Sequence, residues 1–288
     1  MSAAALSSEA GLPSPASLAE RLAPVRTVGR VALACARNGA RTQIADLAEK
    51  GGYRLKFPDM TGNTLQAVIV NTGGGVAGGD RVSVDVSAQP GAQVAVSTAT
   101  AERIYRSIGP ATEIDVRLSA AEGATLCWFP QATILFSGAR LARRFTVDVN
   151  SSARLMMAEA TVFGRIASGE IMGEGAFQDI WRIRRDERLL FAETTRLDGP
   201  LAEAMARPAV MGGARSTGLL LYVNADAEDA CQRLRTALEN APAVHGVSAW
   251  RGMLVLRVLA AGLSDVHATL HRAIETLTPE ALPRSWSN

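Results

Sequence analysis

Two carboxylates in unusual settings are the first residues in this sequence able to do chemistry. Asp80 closes the glycine-rich run Gly73-Gly-Gly-Val-Ala-Gly-Gly79, and Glu159 interrupts the mostly apolar run Leu155-Met-Met-Ala-Glu-Ala160. At the end of a tight loop, Asp80 is either an Asx-type turn cap or a carboxylate presented for function. Glu159 needs compensation, because burying an unpaired carboxylate is costly. The choice is a salt bridge to an arginine such as Arg165, or a place in the wall of an internal polar cavity. Ser97-Thr98, followed by Arg103-Ile-Tyr-Arg-Ser107, gathers hydroxyls and guanidinium groups between strands. Gly164-Arg165 with Gly169-Glu170 makes a second glycine-flanked, charged turn.

Other chemistries lack the context they need. Residues 73–78 satisfy G-x-G-x-x-G, but a dinucleotide site needs a helix to begin there so that its N-terminus faces the pyrophosphate. Another strand-like alternation comes next instead, so the run reads as a connection between strands that uses glycine for positive φ and close backbone approach. His267 and His271 stand four apart on an expected helix, a spacing able to chelate metal. The residues between them lack the glutamate of a metalloprotease motif, and a solvated helix face is the favoured reading. No G-x-S-x-G elbow, P-loop lysine or kinase signature occurs, and no nucleophile, base and orienting group come together locally.

Composition narrows the class further. The 288 residues carry 30 Lys+Arg against 28 Asp+Glu, a formal net charge of +2, and 48% are hydrophobic. This is a globular composition rather than a disordered one. The basic residues are almost all arginine, scattered and matched by acids, so a nucleic-acid footprint is not expected. The three cysteines, Cys35, Cys127 and Cys231, lie far apart with no CxxC. They favour a reducing, cytoplasmic setting over a disulfide framework or a zinc finger. No stretch reaches membrane-spanning length and no signal sequence is expected; residues 1–17 read as a flexible tail.

The elements that must position these residues are mostly strands. Strict alternation marks 81–87, 113–119 and 144–150, and further strands are expected at 65–71 and 177–184. Pro90-Gly91, Glu122-Gly123 and Asn150-Ser151-Ser152 supply turns. Asp85, Asp115 and Asp148 recur about thirty residues apart in similar surroundings, which reads either as stacked supersecondary units or as three ordinary hairpins sharing turn chemistry. Helices come late. Residues 225–240 place acids first and bases last, as the helix dipole prefers. Ser264 is the expected N-cap of a helix through Leu277, and a short helix is expected after Gly199-Pro200. Between the two longer helices, 252–260 reads as a buried strand.

Taken in order, these residues resemble the UreD (UreH) family of urease accessory proteins. Gly74-Gly-Val-Ala-Gly-Gly-Asp80 is similar to the family's Gly-Gly-x-x-Gly-Gly-Asp. Ser97-Thr98 with Arg103-Ile-Tyr-Arg-Ser107 is similar to its hydroxyl-pair and Tyr-Arg-Ser stretch. Leu126-Cys-Trp-Phe-Pro-Gln-Ala-Thr-Ile-Leu-Phe136 resembles its Pro-Gln-Glu-Thr-Ile-Leu-Phe segment. Gly164-Arg165 and Gly169-Glu170 fit Gly-Arg-x-x-x-Gly-Glu, and Leu282-Pro-Arg-Ser-Trp286 resembles the terminal Pro-Arg-x-Trp. Ala99 and Ala132 stand where the family usually has Gln and Glu.

The resemblance implies a mainly β fold, an elongated β-helix-like stack of hairpins with two principal helices in the C-terminal part, spanning residues 18–288 as one domain. It implies a non-enzymatic scaffold that binds urease apoprotein and UreF, and through UreF the GTPase UreG. No tightly bound cofactor is expected, only nickel in transit through an internal path. On that picture Asp80 and Glu159 line the path, with Glu170 and Glu193 as further carboxylates and Ser97 and Thr98 as oxygen contacts. Gly74, Gly75, Gly78, Gly79, Tyr105, Arg106, Gly164 and Arg165 support its walls, and Pro283, Arg284 and Trp286 face a partner. The competing readings are a carbohydrate- or nucleotide-acting enzyme on a β-solenoid-like scaffold, with Asp80 and Glu159 as paired carboxylates, and a binding module of unknown partner. Oxygen donors hold Ni(II) less tightly than imidazole or thiolate, which suits an ion that must keep moving.

Overall fold

The computed structural model describes residues 26–58, 62–279 and 282–286. The expected tail, residues 1–17, lies outside the described residues. The alternating segments become strands that cross repeatedly between two facing sheets. Starting from β1 (Val28–Asn38), β2 (Arg41–Lys50) and β3 (Tyr53–Lys56), the chain enters β4 (Leu65–Asn71), β5 (Arg81–Ala88) and β6 (Gln93–Thr98). It continues through β7 (Glu102–Ile104), β8 (Thr112–Ala120), β9 (Thr125–Phe129), β10 (Thr133–Leu135), β11 (Arg140–Val149), β12 (Arg154–Phe163) and β13 (Glu174–Arg185).

Strands β1, β5, β8, β11 and β13 pair in parallel in the first sheet, with β2 and β14 (Arg188–Pro200) added antiparallel at its edges. Strands β4, β6, β9 and β12 pair in parallel in the second. The stacking is β-solenoid-like, as expected. Its unit is a coil that passes from one sheet to the other, and antiparallel hairpins are confined to the flanks. Every second side chain enters the space between the sheets because strand side chains alternate. Val84, Val116, Phe145 and Trp181 therefore lie one above another at neighbouring register positions.

The turn signals join the sheets at one end of each coil. Gly91 and Gly123 take φ of +69° and +62° there, a region that favours glycine. Successive turns bond to one another through Gly91 N–H to Glu122 O, 2.9 Å, and Asn150 N–H to Ala120 O, 2.9 Å. The internal repeat is real but offset. Asp115 pairs in register with Ser83, and Asp85 with Arg117. The offset has a physical basis: it sets Arg117 3.3 Å from Asp85 and Arg144 3.5 Å from Asp115, where stacked aspartates would repel.

The second sheet continues antiparallel through β15 (Ser216–Val223), β17 (Met253–Ala260) and β16 (Val244–Trp250). The helices are α1 (Leu201–Ala206), α2 (Ala227–Ala237) and α3 (Leu263–Leu277). Helix α3 begins one residue before Ser264, and Gly262 rather than Ser264 takes the capping position, with no side-chain cap bond. Its residues Val266, Leu270 and Ile274 join Ala230 and Leu234 of α2 in a second core on the outer face of the second sheet. Gly218 permits that approach, since a Cβ there would stand 2.9 Å from Val266 Cγ1. The central part of the second sheet is thus covered on both faces, by the first sheet and by the helices.

Candidate functional site

The polar heart of the molecule lies between the two sheets. Arg143 enters it from β11, Asp179 from β13 and Glu159 from β12, and they are only 5%, 7% and 4% exposed. Each occupies an inward position on its strand, among inward residues that are mostly apolar. The Arg143 guanidinium bonds Asp179 bidentately, Nε to Oδ1 at 3.0 Å and Nη2 to Oδ2 at 2.8 Å. Its Nη1 donates to Glu159 Oε2 at 2.7 Å and to Thr133 Oγ1 at 3.2 Å. Trp128 Nε1 donates to the other Glu159 oxygen at 2.7 Å, and Trp181 Nε1 to Asp179 Oδ2 at 3.0 Å.

Burial pushes the Glu159 carboxyl above the usual range, opposed by Arg143 and the Trp128 N–H; Asp179 adds a smaller upward push. Burial acts to lower the Arg143 guanidinium, but Asp179 and Glu159 outweigh it and keep the group firmly cationic. The expected arginine partner of Glu159 is therefore Arg143. Arg165 instead pairs with Glu170, Nη2 to Oε1 at 3.0 Å, on the outside. That bond, the largest cause, holds the Glu170 carboxyl below its ordinary value.

Three cavities run in a row from this cluster, each sharing lining residues with the next. One of about 300 Å³ is lined by Arg143, Glu159, Asp179 and Thr161, and by Glu193 paired with Arg257. A second, about 60 Å³, shares Arg143 and Glu159 with the first and extends past Trp128 and Thr133 to Tyr53, Thr98 and Glu102. A third, about 20 Å³, shares Thr98 and Glu102 with the second and reaches Asn71, Gly74 and Gly75. Glu102 accepts from Tyr53 Oη at 3.1 Å and from Asn71 Nδ2 at 2.9 Å. Burial is the main cause that raises its carboxyl, against those hydrogen bonds.

The other residues singled out from the sequence separate into groups. Glu159, Glu193 and Thr98 line these cavities. Ser97 faces the opposite side of its sheet, the side of Ala95 and Phe129, where its Oγ has no hydrogen-bond partner among the described residues. Asp80 is buried but lines none of the three; its oxygens accept from Thr27 N–H and Ala77 N–H, each at 2.8 Å. That is the capping role among its two readings.

Gly75 (φ +147°) lets the loop run beside Tyr105, whose hydroxyl bonds Gly74 O at 3.0 Å, and Gly78 leaves room for Ser107. Arg26 lies against Gly79, and Arg106 against Gly138. Arg165 lies over the Phe136 ring, 4.8 Å from its centre, and Tyr105 meets the same ring edge-on. Gly164 takes φ of +87° at the start of the Arg165–Glu170 turn. The glycine loop, β7, β10 and that turn are the connections at the same end of four successive coils. The spaced motifs thus become one stacked row.

Pro283 and Trp286 are buried, and Arg284 opens a final 3-10 turn. Trp286 Nε1 bonds Phe129 O at 2.8 Å and its ring stacks on His267. The terminal motif is therefore fastened within the chain. His267 is tied to that tryptophan, while His271 faces Glu275 at 3.3 Å.

Comparison with known proteins places the whole of this fold. The UreD urease accessory protein family matches residues 27–287. The chain belongs to the UreD family. A urease accessory protein UreD of Xanthobacter autotrophicus is 44% identical over 286 residues, 99% of each chain. One from Rhodopseudomonas palustris is 45% identical over 91% of each chain, and one from a Methylobacterium is 43% identical over 91% of this chain and 95% of its own.

Arg143, Asp179 and Glu102 were missed as site residues in the sequence. The signal for Asp179 was present: in the expected strand 177–184 it shares the inward parity of Phe177, Trp181 and Ile183. Arg143 carries the same signal on Leu141-Ala-Arg-Arg-Phe145, ahead of the strand expected from 144.

Proposed function

We propose that this chain is a non-enzymatic accessory protein of urease maturation in the cytoplasm. It binds urease apoprotein and UreF, and through UreF the nickel-carrying GTPase UreG, and it offers nickel a path toward the urease active site. The observation that carries the conduit is the row of three cavities between the sheets, with Glu193 at one end, Arg143 and Glu159 at the junction, and Glu102 at the other end. Family membership supports the accessory role, since the relatives are named for it.

The chemistry of the lining fits transit. Carboxylates, hydroxyls and water bind Ni(II) more weakly than imidazole or thiolate, and a conduit has to release what it admits. Glu193, Glu159 and Thr98 are the residues of this path; Asp80, Ser97 and Glu170 shape the chain around it. No helix of the described residues is long and apolar enough to cross a membrane.

The test fills the path without touching its charges. Thr161 lines the largest of these three cavities and is buried. Thr161→Phe should leave the complex with urease and UreF intact in co-purification while lowering nickel-dependent urease activation several-fold. Full activation by that variant, with the filled cavity verified by structure determination, sinks the conduit. Glu159→Ala should lower activation in the same assay.

A further inference from the structure

The interior carboxylates are not equivalent. Glu159 and Asp179 share the guanidinium of Arg143, and Glu193 pairs with Arg257. Each therefore meets an incoming cation already compensated. Glu102 is different. Its hydrogen-bond donors are neutral, the Tyr53 hydroxyl, the Asn71 amide and the Arg103 backbone N–H, and no Lys, Arg or His side chain among the described residues pairs with it. An anionic carboxylate in a half-buried site without a counter-charge is the arrangement that a cation stabilises most.

The space beside it suits an ion. The end cavity, about 20 Å³, is bounded by Asn71, Gly74, Gly75, Thr98, Thr100 and Glu102. That is room for a single water-sized occupant by the usual threshold of roughly 10–15 Å³. The adjoining cavity of about 60 Å³ can hold water that completes a coordination shell. The groups around it are hard oxygen donors. The Glu102 oxygens accept from Tyr53, Asn71 and the Arg103 N–H, which leaves about one of a carboxylate's roughly four acceptor sites open. Nearby are the Thr98 hydroxyl and the Gly75 carbonyl, the latter held by Asn71 Nδ2 at 3.2 Å.

The Asn71 amide ties the carboxylate to the glycine-rich loop, and Tyr53 fixes its other oxygen from β3. Three strands and the loop thus preorganise this one side chain. Among sites of oxygen donors, small divalent ions keep most of their water and take one or two carboxylates.

We propose that Glu102 anchors a weakly held divalent cation in the end cavity beside the glycine-rich loop, with water in the adjoining cavity completing its shell. This deepens the conduit reading by naming where the ion rests, and it rests on that reading for nickel as the ion carried. Glu159, locked to Arg143, is the neutralised junction that the ion passes and not its holding point.

The experiment is a titration of the full chain with Mn²⁺, an oxygen-preferring probe, with free ion counted by electron paramagnetic resonance. Native chain should take up Mn²⁺ at a site that Glu102→Gln weakens by about tenfold or more, the usual effect of disturbing a metal's ligand set. Glu102→Asp, which keeps the charge, should retain measurable uptake, and circular dichroism on each variant verifies the fold. Equal uptake by native chain and a folded Glu102→Gln overturns the proposal. So does absence of uptake by the native chain, or loss of the site in Glu159→Gln but not in Glu102→Gln. Mn²⁺ held at Glu102 in a chain that fails to support nickel-dependent activation refutes the conduit and leaves the cation site standing. Activation with unchanged uptake in Glu102→Gln refutes the site alone.

Discussion

Arg143 shows how one side chain can fix the chemistry of an interior. It compensates two carboxylates, Asp179 from the adjacent strand and Glu159 from the facing sheet, so its removal leaves both buried without a counter-charge. Breaking a buried pair in this way costs about 3–5 kcal/mol. Arg143→Leu should lose stability of that order in urea denaturation. Replacing Arg143, Glu159 and Asp179 together by apolar residues should lose much less, because no charge is then stranded. Glu102 carries a separate prediction. Its folded carboxyl is raised by burial, so the folded state holds the proton more tightly than the unfolded state. That contribution is complete below the unfolded value of roughly 4.3 and is lost as pH rises through the folded value. Denaturation from pH 4 to 8 should show Glu102→Gln gaining on the native chain as pH rises. A constant difference would contradict the raised value.

Elements inherit their precision from a few residues at the coil ends. A Cβ on Gly75 would stand 2.5 Å from Tyr105 Cε2 and 2.7 Å from Arg103 O, at φ +147°. Gly75→Ala should therefore destabilise by about 1–3 kcal/mol, the range for stored backbone strain, and displace Tyr105 from Gly74. Trp286→Ala removes the ring that fastens the final turn to β9 and α3, and should cost about 3–5 kcal/mol in thermal or chemical unfolding. Much at this scale was legible in the sequence. The alternation at 65–71, 81–87 and 113–119 gave strands almost to the residue, because period-two patterning directly reports one buried face. The apolar strands covered on both faces read less clearly: Leu155–Phe163 and Leu219–Val223 have no polar side to alternate with. Helix α3 was legible from its apolar stripe, but its start was not, since glycine took the place of the expected serine cap.

At the scale of the molecule, the layered order makes a prediction about dynamics. Strands β6, β9 and β12 lie in the middle of a sheet covered by the first sheet on one face and, at β9 and β12, by the helical core on the other. Strands β2 and β16 are edges whose residues are mostly exposed. Amide exchange should be slowest in the former and fastest in the latter; rapid exchange across β9 and β12 would contradict the packing. The sequence by itself determined the strands, the thirty-residue recurrence, the turn chemistry and the likeness to a family, because each is a local or ordered pattern along the chain. It also marked Glu159 as a carboxylate in need of a partner. Only the tertiary structure decided that the partner is Arg143 and not Arg165, and that Glu102 faces no cationic side chain among the described residues. In parallel coils, residues about thirty positions apart become neighbours at one strand spacing of about 4.8 Å. Which of them meet depends on a register that the offset of Asp85 and Asp115 shows the sequence repeat does not supply.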